Sequence, residues 1–353
     1  MPIKKPKIII APLNWGIGHA TRCVPIINEL LKKGFEPIIT SDGNALTYLK
    51  KEFPLLKTYE LPSYNIKYSR KSYLLKLKLL FQIPKIKKAI ADEHKVIQQL
   101  IKKENIKGII SDNRFGVYSK EISSVYITHQ INVLSGITTF FTSKTHQKMM
   151  NDFTEIWIPD FKNNPRLAGK LSDNSKIKIP TKYIGILSRF SSNISPKKEE
   201  NDVLILLSGI EPLRTILEHK LIREFNNYPK KVLFIRGVLD KETKIKDTEN
   251  IKFINFQSQK ELYKSITNSK IIIARSGYST IMDLATLNKK TFFIPTPKQT
   301  EQEYLAKHLE QLQISPFSKQ SNFKISMLDK INNYSGFNFD IDNLDLDFSL
   351  FDS

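Results

Sequence analysis

The stretch Lys270–Leu305, KIIIARSGYSTIMDLATLNKKTFFIPTPKQTEQEYL, alternates between strand and helix patterns. The apolar run Ile271–Ala274 predicts a buried parallel strand, because it is too short for a buried helix. Arg-Ser-Gly follows, and Ser279 or Thr280 is a candidate cap for the next helix. A second apolar run ending at Ile294-Pro295 predicts the next strand, and a polar segment then starts another helix. The polar residues therefore gather at the strand ends, where ligands bind in open α/β sheets.

The polar residues of this stretch suit a nucleotide. A helix that begins after Ser276-Gly277 offers backbone N–H groups to a phosphate or diphosphate. Asp283 lies one helical turn after Ser279, where its carboxylate can accept hydrogen bonds from the vicinal hydroxyls of a ribose. Glu301 and Gln302 add acceptors and donors for further hydroxyls. On spacing alone, an ordinary βαβ unit with a capped helix explains the pattern equally well.

A second glycine-containing loop follows the first strand of the chain, which is predicted over Lys7–Ala11. Its sequence Gly16-Ile17-Gly18-His19 leads into an amphipathic helix. It is not a dinucleotide fingerprint, because the third glycine is absent and His19 and Arg22 replace small residues. His19 is either a helix-entry residue bonded to the backbone or a general base that works near neutral pH.

Together the two loops resemble the GT-B glycosyltransferases, and most closely glycosyltransferase family 28, which includes the GlcNAc transferase of peptidoglycan precursor synthesis. The matching motifs are Gly-x-Gly-His-x-x-Arg, Arg-Ser-Gly-x-x-Thr-x-x-Asp and Gln-x-Glu-Gln. The resemblance implies an α/β GT-B fold, with two Rossmann-like domains facing each other across a cleft. It implies an acceptor in the first domain, a nucleotide-sugar donor in the second, inversion at the sugar carbon, and neither metal nor cofactor. Asp283 stands at the position of an acidic residue, usually Glu, that binds the ribose of UDP in this family. The resemblance therefore implies the same role for Asp283.

The resemblance and the strand-end positions define the candidate site residues. His19 is the first candidate catalytic base, and Asp112, after a strand predicted over Gly108–Ser111, is the second. Candidate acceptor contacts are Asn113, Arg114 and His129, and structural roles for Asp112 and His129 stay equally open. Glu211 would repel a phosphate, so we expect it to bond backbone or to orient a neighbouring arginine. The candidate donor-binding residues are Gly18, Ser208, Gly209, Arg214, Arg275, Ser276, Gly277, Thr280, Asp283, Gln299, Glu301 and Gln302.

The length and the polar stretches predict two domains. A chain of 353 residues with 40% hydrophobic residues is long for one core. We predict an N-terminal acceptor-side domain at 1–185, a linker at 186–201, a nucleotide-sugar-binding domain at 202–330 and an acidic tail at 331–353.

The cellular compartment is predicted from cysteine usage and hydropathy. The single Cys23 excludes an intrachain disulfide and fits a reducing compartment. The first residues predict a β-strand and not a signal peptide, and no apolar run is long enough to predict a transmembrane helix. We therefore expect a cytoplasmic protein, with a peripheral position on the inner face of the membrane as an option.

The formal net charge of +20 is unevenly distributed. Residues 65–107 contain 12 Lys or Arg against three acids, whereas residues 336–353 contain five Asp and no base. The basic segment is either the solvated lysine face of ordinary helices or a surface that lies on anionic lipid, where each cation adds about 1 kcal/mol. Nucleic acid is not an expected partner, because no recognised reader motif accompanies the charge.

The sequence thus predicts a hexosyltransferase that moves a sugar from a UDP-linked donor to a glycan or lipid-linked acceptor of the cell envelope. The alternatives are a UDP-sugar 2-epimerase of GT-B-like fold and a non-catalytic protein that binds an anionic surface.

Overall fold

The chain divides into two compact units, Met1–Leu187 together with Leu344–Ser353, and Ser188–Asn343. The computed structural model describes residues 5–64, 75–134, 139–163, 165–175, 177–190, 199–209, 211–238, 245–339, 344 and 346–352.

The first unit is built on one parallel sheet, which has seven strands within the described residues. Its strands are β1 (Lys7–Pro12), β2 (Glu36–Ser41), β3 (Thr58–Glu60), β4 (Ile106–Asp112), β5 (Ser123–Ile127), β6 (Glu155–Ile158) and β7 (Thr181–Tyr183). Its helices are α1 (Gly18–Lys32), α2 (Gly43–Glu52), α3 (Leu75–Glu104) and α4 (Thr139–Met150). The strand order is β3-β2-β1-β4-β5-β6-β7.

Both faces of this sheet are covered. Each side chain from Ile8 to Ala11 in β1 is 0% exposed, although successive side chains of a strand point to opposite faces. On one face, Ile9 and Ala11 pack with Ile97 and Leu100 of α3. A strand that is buried on both faces needs a continuous apolar run, which is the pattern that the sequence has here.

The strand order of the first sheet reverses between β1 and β4. The chain runs outward from β1 to β3 and then crosses to β4, on the other side of β1. The backbone N–H of Leu13 donates to the carbonyl of Asp112 at 2.9 Å, so the ends of these two strands are tied together. In an open parallel sheet this reversal point, at the carboxyl ends of the strands, is where ligands bind.

The second unit repeats this arrangement with a parallel sheet, which has five strands in the part of the chain that the structure describes, in the order β10-β9-β8-β11-β12. Its strands are β8 (Asn201–Leu206), β9 (Val232–Ile235), β10 (Ile251–Ile254), β11 (Ser269–Ala274) and β12 (Lys290–Phe293). Its helices are α5 (Leu213–Phe225), α6 (Gln259–Thr267), α7 (Tyr278–Thr286) and α8 (Thr300–Gln311), and a 3-10 helix follows at Ile325–Asn333. The strand order reverses between β8 and β11, so the loops after these strands define the expected ligand edge.

The starts of α7 and α8 differ in their capping. Gly277 is the N-cap of α7 and supplies no side-chain hydrogen bond. Ser279 and Thr280 lie inside the helix, so the prediction that one of them is the cap is wrong. Gln299 caps α8, because its side-chain oxygen accepts from the backbone N–H of Gln302 at 2.7 Å.

The edge strand β7 of the first sheet gives no signal in the sequence. It pairs with β6 in parallel register. All three residues of β7 are only half-buried, so this edge strand has no apolar run that sequence reasoning could detect. The division between the units falls between Leu187 and Ser188, and Asn201 already starts β8. Residues 191–198, in the middle of the predicted linker, lie outside the described residues.

The segment predicted as an acidic tail is not detached from the fold. Residues 331–333 complete the 3-10 helix of the second unit, whereas residues 344–353 belong to the first unit. The ring of Phe348 lies 5.7 Å from the ring of Phe35 and 5.9 Å from that of Trp157. Phe351 is 1% exposed. Aromatic anchors, which show neither helix nor strand periodicity, attach this segment.

The contact between Phe351 and Gly108 of β4 gives a test of this attachment. A Cβ added at Gly108 would lie 2.2 Å from Phe351 Cδ1, so Gly108→Ala overpacks the site. We expect Gly108→Ala to lower the free energy of unfolding by about 1–3 kcal/mol. We expect Phe351→Ala to lower it by about 3–5 kcal/mol. In the double variant the new methyl group enters the space left by the ring, so the loss in urea unfolding should be smaller than the sum. Strictly additive losses would contradict the contact.

Candidate functional site

The reversal point of the first sheet brings a histidine and an aspartate together. His19 lies in the first turn of α1, directly after the loop from β1, and Asp112 is the last residue of β4. His19 Nδ1 lies 2.8 Å from Asp112 Oδ1. The His19 side chain is 18% exposed, and that of Asp112 is 0% exposed. The two candidate catalytic residues are therefore partners, 93 positions apart in sequence.

Asp112 is surrounded by hydrogen-bond donors. Arg22 donates from Nε to Oδ2 at 2.5 Å and from Nη2 to Oδ1, and Asn113 Nδ2 donates to Oδ1 at 3.2 Å. Burial opposes the charged form of Asp112, but the charge of Arg22, the charge that His19 carries when protonated, and the hydrogen bonds of both residues hold the pKa of Asp112 well below the usual range. Asp112 is thus a permanent carboxylate, and its oxygens only accept hydrogen bonds.

This carboxylate determines which nitrogen of His19 carries the proton. Because Asp112 cannot donate, Nδ1 of His19 must carry the hydrogen that it shares with Oδ1. Arg22 Nη2 at 3.0 Å and Asn113 Nδ2 at 3.5 Å from the same nitrogen are themselves donors, so they serve Asp112 and not His19. The lone pair of the neutral ring is then on Nε2, to which no hydrogen bond is made from the described residues. This arrangement of an imidazole oriented by a carboxylate suits a general base.

The geometry changes the role predicted for Asp112. As the second candidate base, it would need access to an acceptor hydroxyl and a lone pair to spare. It is fully buried, and its oxygens already receive Arg22, His19 and Asn113. This geometry favours a role for Asp112 in orienting His19 over the predicted role of second base.

Two of the three predicted acceptor contacts join this centre. His129 Nδ1 lies 3.2 Å from Arg22 Nη1, and Asn113 Oδ1 accepts from the hydroxyl of Tyr126 at 3.0 Å. His146, which sequence reasoning assigned no chemistry, reaches the same hydroxyl through Nε2 at 3.4 Å. Sequence reasoning included Arg22 in the loop motif but assigned it no role. No sequence signal pointed to Tyr126 or His146, because β5 and α4 carry them there from distant positions.

Arg114, the third predicted acceptor contact, belongs to a separate buried network. It is 0% exposed and donates from Nε to Glu93, from Nη1 to Asp42 at 2.6 Å and from Nη2 to the carbonyl of Pro62 at 2.9 Å. All three of its nitrogens are engaged by these groups. Asp42 also accepts from Asn14, in the loop that carries His19, at 3.2 Å. Arg114 therefore stabilises that loop through Asp42, which bonds to both Arg114 and Asn14.

The reversal point of the second sheet brings together loops that carry most of the donor candidates. The hydroxyl of Ser276 donates to the carbonyl of Gln302 at 2.8 Å, and the side-chain oxygen of Gln302 accepts from Thr296 N at 2.9 Å. A Cβ at Gly277 would lie 3.9 Å from Gln302 Nε2. The loops after β11 and β12 are thus joined through Gln302, and Gln299 caps the same helix.

The other small and polar candidates lie at element starts. Ser208 and Gly209 are exposed after β8, and Gly209 has φ +115°, which favours glycine. Thr280 and Glu301 are half-buried in the first turns of α7 and α8. Gly18 is the first residue of α1, so it belongs to the first unit, whereas the other donor candidates belong to the second unit.

Arg214 was predicted to bind the donor, but its nitrogens have partners inside the unit. Its Nε donates to Glu211 at 2.5 Å, its Nη1 to the carbonyl of Arg236 at 3.0 Å, and its Nη2 to Thr215 Oγ1 at 2.7 Å. Nη1 is also 3.2 Å from the buried Glu218. The expectation that Glu211 orients this arginine is confirmed. These bonds hold Arg214 against the loop after β8.

Arg275 is likewise a structural cation. It is 1% exposed, and its Nη1 donates to the carbonyls of Ile294 at 3.0 Å and Pro295 at 2.9 Å. Its Nη2 donates to the carbonyl of Leu213 at 3.1 Å and to Gln320 at 2.8 Å. Burial lowers its pKa to about 10, so it remains charged at neutral pH. These bonds tie the ends of β11 and β12 to the start of α5, whereas Nε of Arg275 is buried without a hydrogen-bond partner among the described residues.

Asp283 is buried and already has two partners. Its Oδ1 accepts from the hydroxyl of Ser188 at 2.9 Å, and its Oδ2 accepts from Arg189 Nε at 3.0 Å. Burial raises the pKa of Asp283, whereas the charge and hydrogen bonds of Arg189 and Ser188 lower it. Each carboxylate oxygen can accept more than one hydrogen bond, so a ribose would share or replace these donors. Sequence reasoning missed both partners, which precede Asp283 by 94 and 95 positions.

Two further properties follow from the described residues. They contain no group of three or more His, Cys, Asp or Glu side chains that is able to hold a metal ion. None of the helices that the structure describes has both the length and the apolar character required to span a bilayer.

The two parallel sheets and their reversal points define a GT-B protein, and solved structures agree. The glycosyltransferase of kitacinnamycin has a TM-score of 0.64 at 12% identity, covering 94% of this chain and 90% of that one. MurG of Acinetobacter baumannii has a TM-score of 0.56 at 13% identity, covering 93% of this chain and 90% of that one.

Sequence comparison matches part of the second unit to a family model. Residues 213–332 match the glycosyltransferase family 28 C-terminal domain. The UDP-N-acetylglucosamine–N-acetylmuramyl-(pentapeptide) pyrophosphoryl-undecaprenol N-acetylglucosamine transferase of Rickettsia akari is 22% identical, over 92% of this chain and 89% of its own. An uncharacterized glycosyltransferase of Methanosarcina mazei is 22% identical, over 86% of this chain and 84% of its own. The chain is a GT-B glycosyltransferase with a family 28 C-terminal domain, and a distant homologue of the MurG type.

Proposed function

We propose that this glycosyltransferase moves a hexose from a UDP-sugar to a hydroxyl of a glycan or lipid-linked acceptor, with inversion and without a metal ion or cofactor. The observation that carries the proposal is the oriented imidazole of His19, whose Nε2 is not bonded by the described residues, in a chain with a family 28 C-terminal domain. The cytoplasmic, membrane-peripheral setting and a role in the cell envelope belong to the same proposal.

The chemistry assigns one step to the first unit. As the acceptor oxygen forms its bond to C1 of the sugar, its proton passes to His19 Nε2. The bond from C1 to the diphosphate oxygen breaks on the opposite face of the sugar, and UDP leaves with that electron pair. The imidazolium formed at His19 is stabilised by Asp112, which stays ionised throughout.

The second unit supplies the donor site in this proposal. The loops of Ser208-Gly209 and Ser276-Gly277 receive the diphosphate near the starts of α5 and α7. The carboxylate of Asp283 binds the ribose, and Glu301 and Gln302 bind sugar hydroxyls. These assignments are supported by the position of the loops at the carboxyl ends of β8, β11 and β12, near the point where the strand order reverses.

An assay with UDP-sugars, alone and with a lipid or glycan extract, tests the reaction class. Radiolabel in the acceptor fraction supports transfer, and NMR of the product reports the configuration at C1. Turnover that persists in EDTA supports the metal-independent step. Isomerisation of the UDP-sugar without an acceptor would identify the 2-epimerase instead, and neither product would favour a non-catalytic binder.

Replacement of the base should separate catalysis from donor binding. We expect His19→Ala to lower turnover by about 10²–10⁴-fold, the usual contribution of a general base. UDP affinity, measured by calorimetry, should stay near that of the wild type. The exposed His219 of α5 provides a matched control, since His219→Ala should change neither quantity. Normal turnover in His19→Ala would refute the assignment of His19 as the base. A large loss of UDP affinity would instead indicate that His19 binds the donor.

Removal of the Asp283 carboxylate should weaken the donor complex. We expect Asp283→Ala to reduce UDP binding by about 1–3 kcal/mol, the loss of hydrogen bonds to a charged group. Ser188→Ala is the matched control, because it removes a partner of Asp283 but leaves the carboxylate available to the ribose. Calorimetry that gives the same affinity for Asp283→Ala as for wild type would remove Asp283 from the site.

An anionic membrane is the proposed partner of the basic segment 65–107. In the described part of α3, Lys85, Lys87 and Lys88 are exposed, whereas residues 65–74 lie outside the described residues. We expect the protein to sediment with vesicles containing anionic lipid and to be released as salt rises. Replacing the three lysines by Gln should weaken this binding and leave UDP affinity unchanged.

The control for the lysine variant is an equal change of charge elsewhere. Lys307, Lys319 and Lys330 of the second unit are also exposed, and their replacement by Gln should leave vesicle binding intact. Equal losses in the two variants would indicate a net-charge effect. Salt-insensitive binding, or none, would return the segment to a solvated lysine face.

A further inference from the structure

We propose that Arg22 is a positioning residue that keeps His19 a neutral base, by supplying the buried positive charge that Asp112 requires. The inference rests on the proposed role of His19 and assigns its protonation state to a residue that does not touch the substrate. Arg22 is 2% exposed and Asp112 is 0% exposed, so this ion pair is withdrawn from water.

A buried carboxylate is stable only if it is paired with a cation and with hydrogen bonds. Arg22 meets this need through two nitrogens of one planar fork, from Nε at 2.5 Å to Oδ2 and from Nη2 to Oδ1. A guanidinium does not lose its proton at physiological pH. The charge of Asp112 is therefore balanced whether or not His19 is protonated.

The other groups around the carboxylate do not supply a charge. Cys23 Sγ lies 3.7 Å from Asp112 Oδ2, and burial and then Asp112 raise the pKa of its thiol. Burial likewise raises the pKa of Tyr126, so its ring stays neutral. Asn113 donates a neutral hydrogen bond at 3.2 Å. The cationic groups that raise the stability of ionised Asp112 are thus Arg22 and, once protonated, His19.

Arg22 also acts on His19 itself. Its Nη2 lies 3.0 Å from His19 Nδ1, so its positive charge opposes a second proton on the ring. Its Nη1 donates to Nδ1 of His129 at 3.2 Å, which requires the lone pair on that nitrogen. Arg22 is therefore compatible with a neutral His129 protonated on Nε2 and a neutral His19 protonated on Nδ1. Asp112 thus sets the tautomer of His19, and Arg22 favours the opposite tautomer of His129.

Without Arg22, the buried carboxylate would draw its compensating charge from the imidazolium of His19. The ring would then keep both protons up to a higher pH, and the base would be blocked at neutral pH. An opposite charge at this distance, no longer balanced, shifts a titration by about 1–3 pH units. The acidic limb of kcat/KM in Arg22→Met should therefore move to higher pH by that amount.

Three variants separate this charge effect from a structural one. Arg22→Met removes the cation, and Arg22→Lys keeps a cation but loses the planar fork. Arg22→Met combined with Asp112→Asn removes both charges, so it leaves no buried carboxylate uncompensated if the single variant fails to fold. We expect the acidic limb to move in Arg22→Met, to stay close to wild type in Arg22→Lys, and not to move upward in the double variant.

The protonation state is read directly by ¹⁵N–¹H correlation spectra of histidine-labelled, ligand-free protein, with the His19 signals assigned through His19→Gln. At pH 7 we expect the Nδ1–H neutral ring in the wild type and the imidazolium in Arg22→Met. This readout does not depend on turnover, so it stands even if the proposed reaction fails. A neutral His19 in Arg22→Met, or a pH profile that only loses amplitude, would overturn the inference. An equal shift in Arg22→Lys and Arg22→Met would also overturn it.

Discussion

The buried carboxylate of Asp112 is the group on which the first unit's site depends. It ends β4 at the reversal point of the sheet, and its backbone carbonyl holds the end of β1 through Leu13. Its side chain draws Arg22 and His19 of α1 onto the same edge. Burial makes this carboxylate costly unless it is paired, so the requirement for compensation fixes both neighbours and, with them, the tautomer of His19.

In the second unit, buried arginines donate hydrogen bonds to backbone carbonyls around the loops at the carboxyl ends of the strands. Arg275 and Arg214 are both buried, and they reach backbone carbonyls at the starts and ends of elements. These bonds join the loops after β8, β11 and β12, and Arg214 is also paired with Glu211 in the first of these loops. The loops that carry the donor candidates are therefore held by buried arginines, in the same way that Arg114 supports the His19 loop of the first unit.

The role of an arginine at a strand end could not be predicted from the sequence around it. Arg114, Arg214 and Arg275 follow or adjoin buried strands, where a cation can face a phosphate or bond the backbone around it. The choice depends on acceptors such as Pro62, Gln320 and Arg236, which are distant in sequence. The same limit applies to Asp283, whose partners are supplied from the start of the second unit.

Sequence patterns located buried strands and the loops that follow them, because apolar runs such as Ile8–Ala11 are local and are interpretable without knowledge of their neighbours. It also located His19, since a glycine-containing loop after a strand is a local pattern. Only the tertiary structure added β7 and the attachment of residues 344–353, whose contacts lie outside any periodic pattern. It alone decided which cations are buried and where the proton of His19 resides, because burial and pairing arise from residues that only folding brings together.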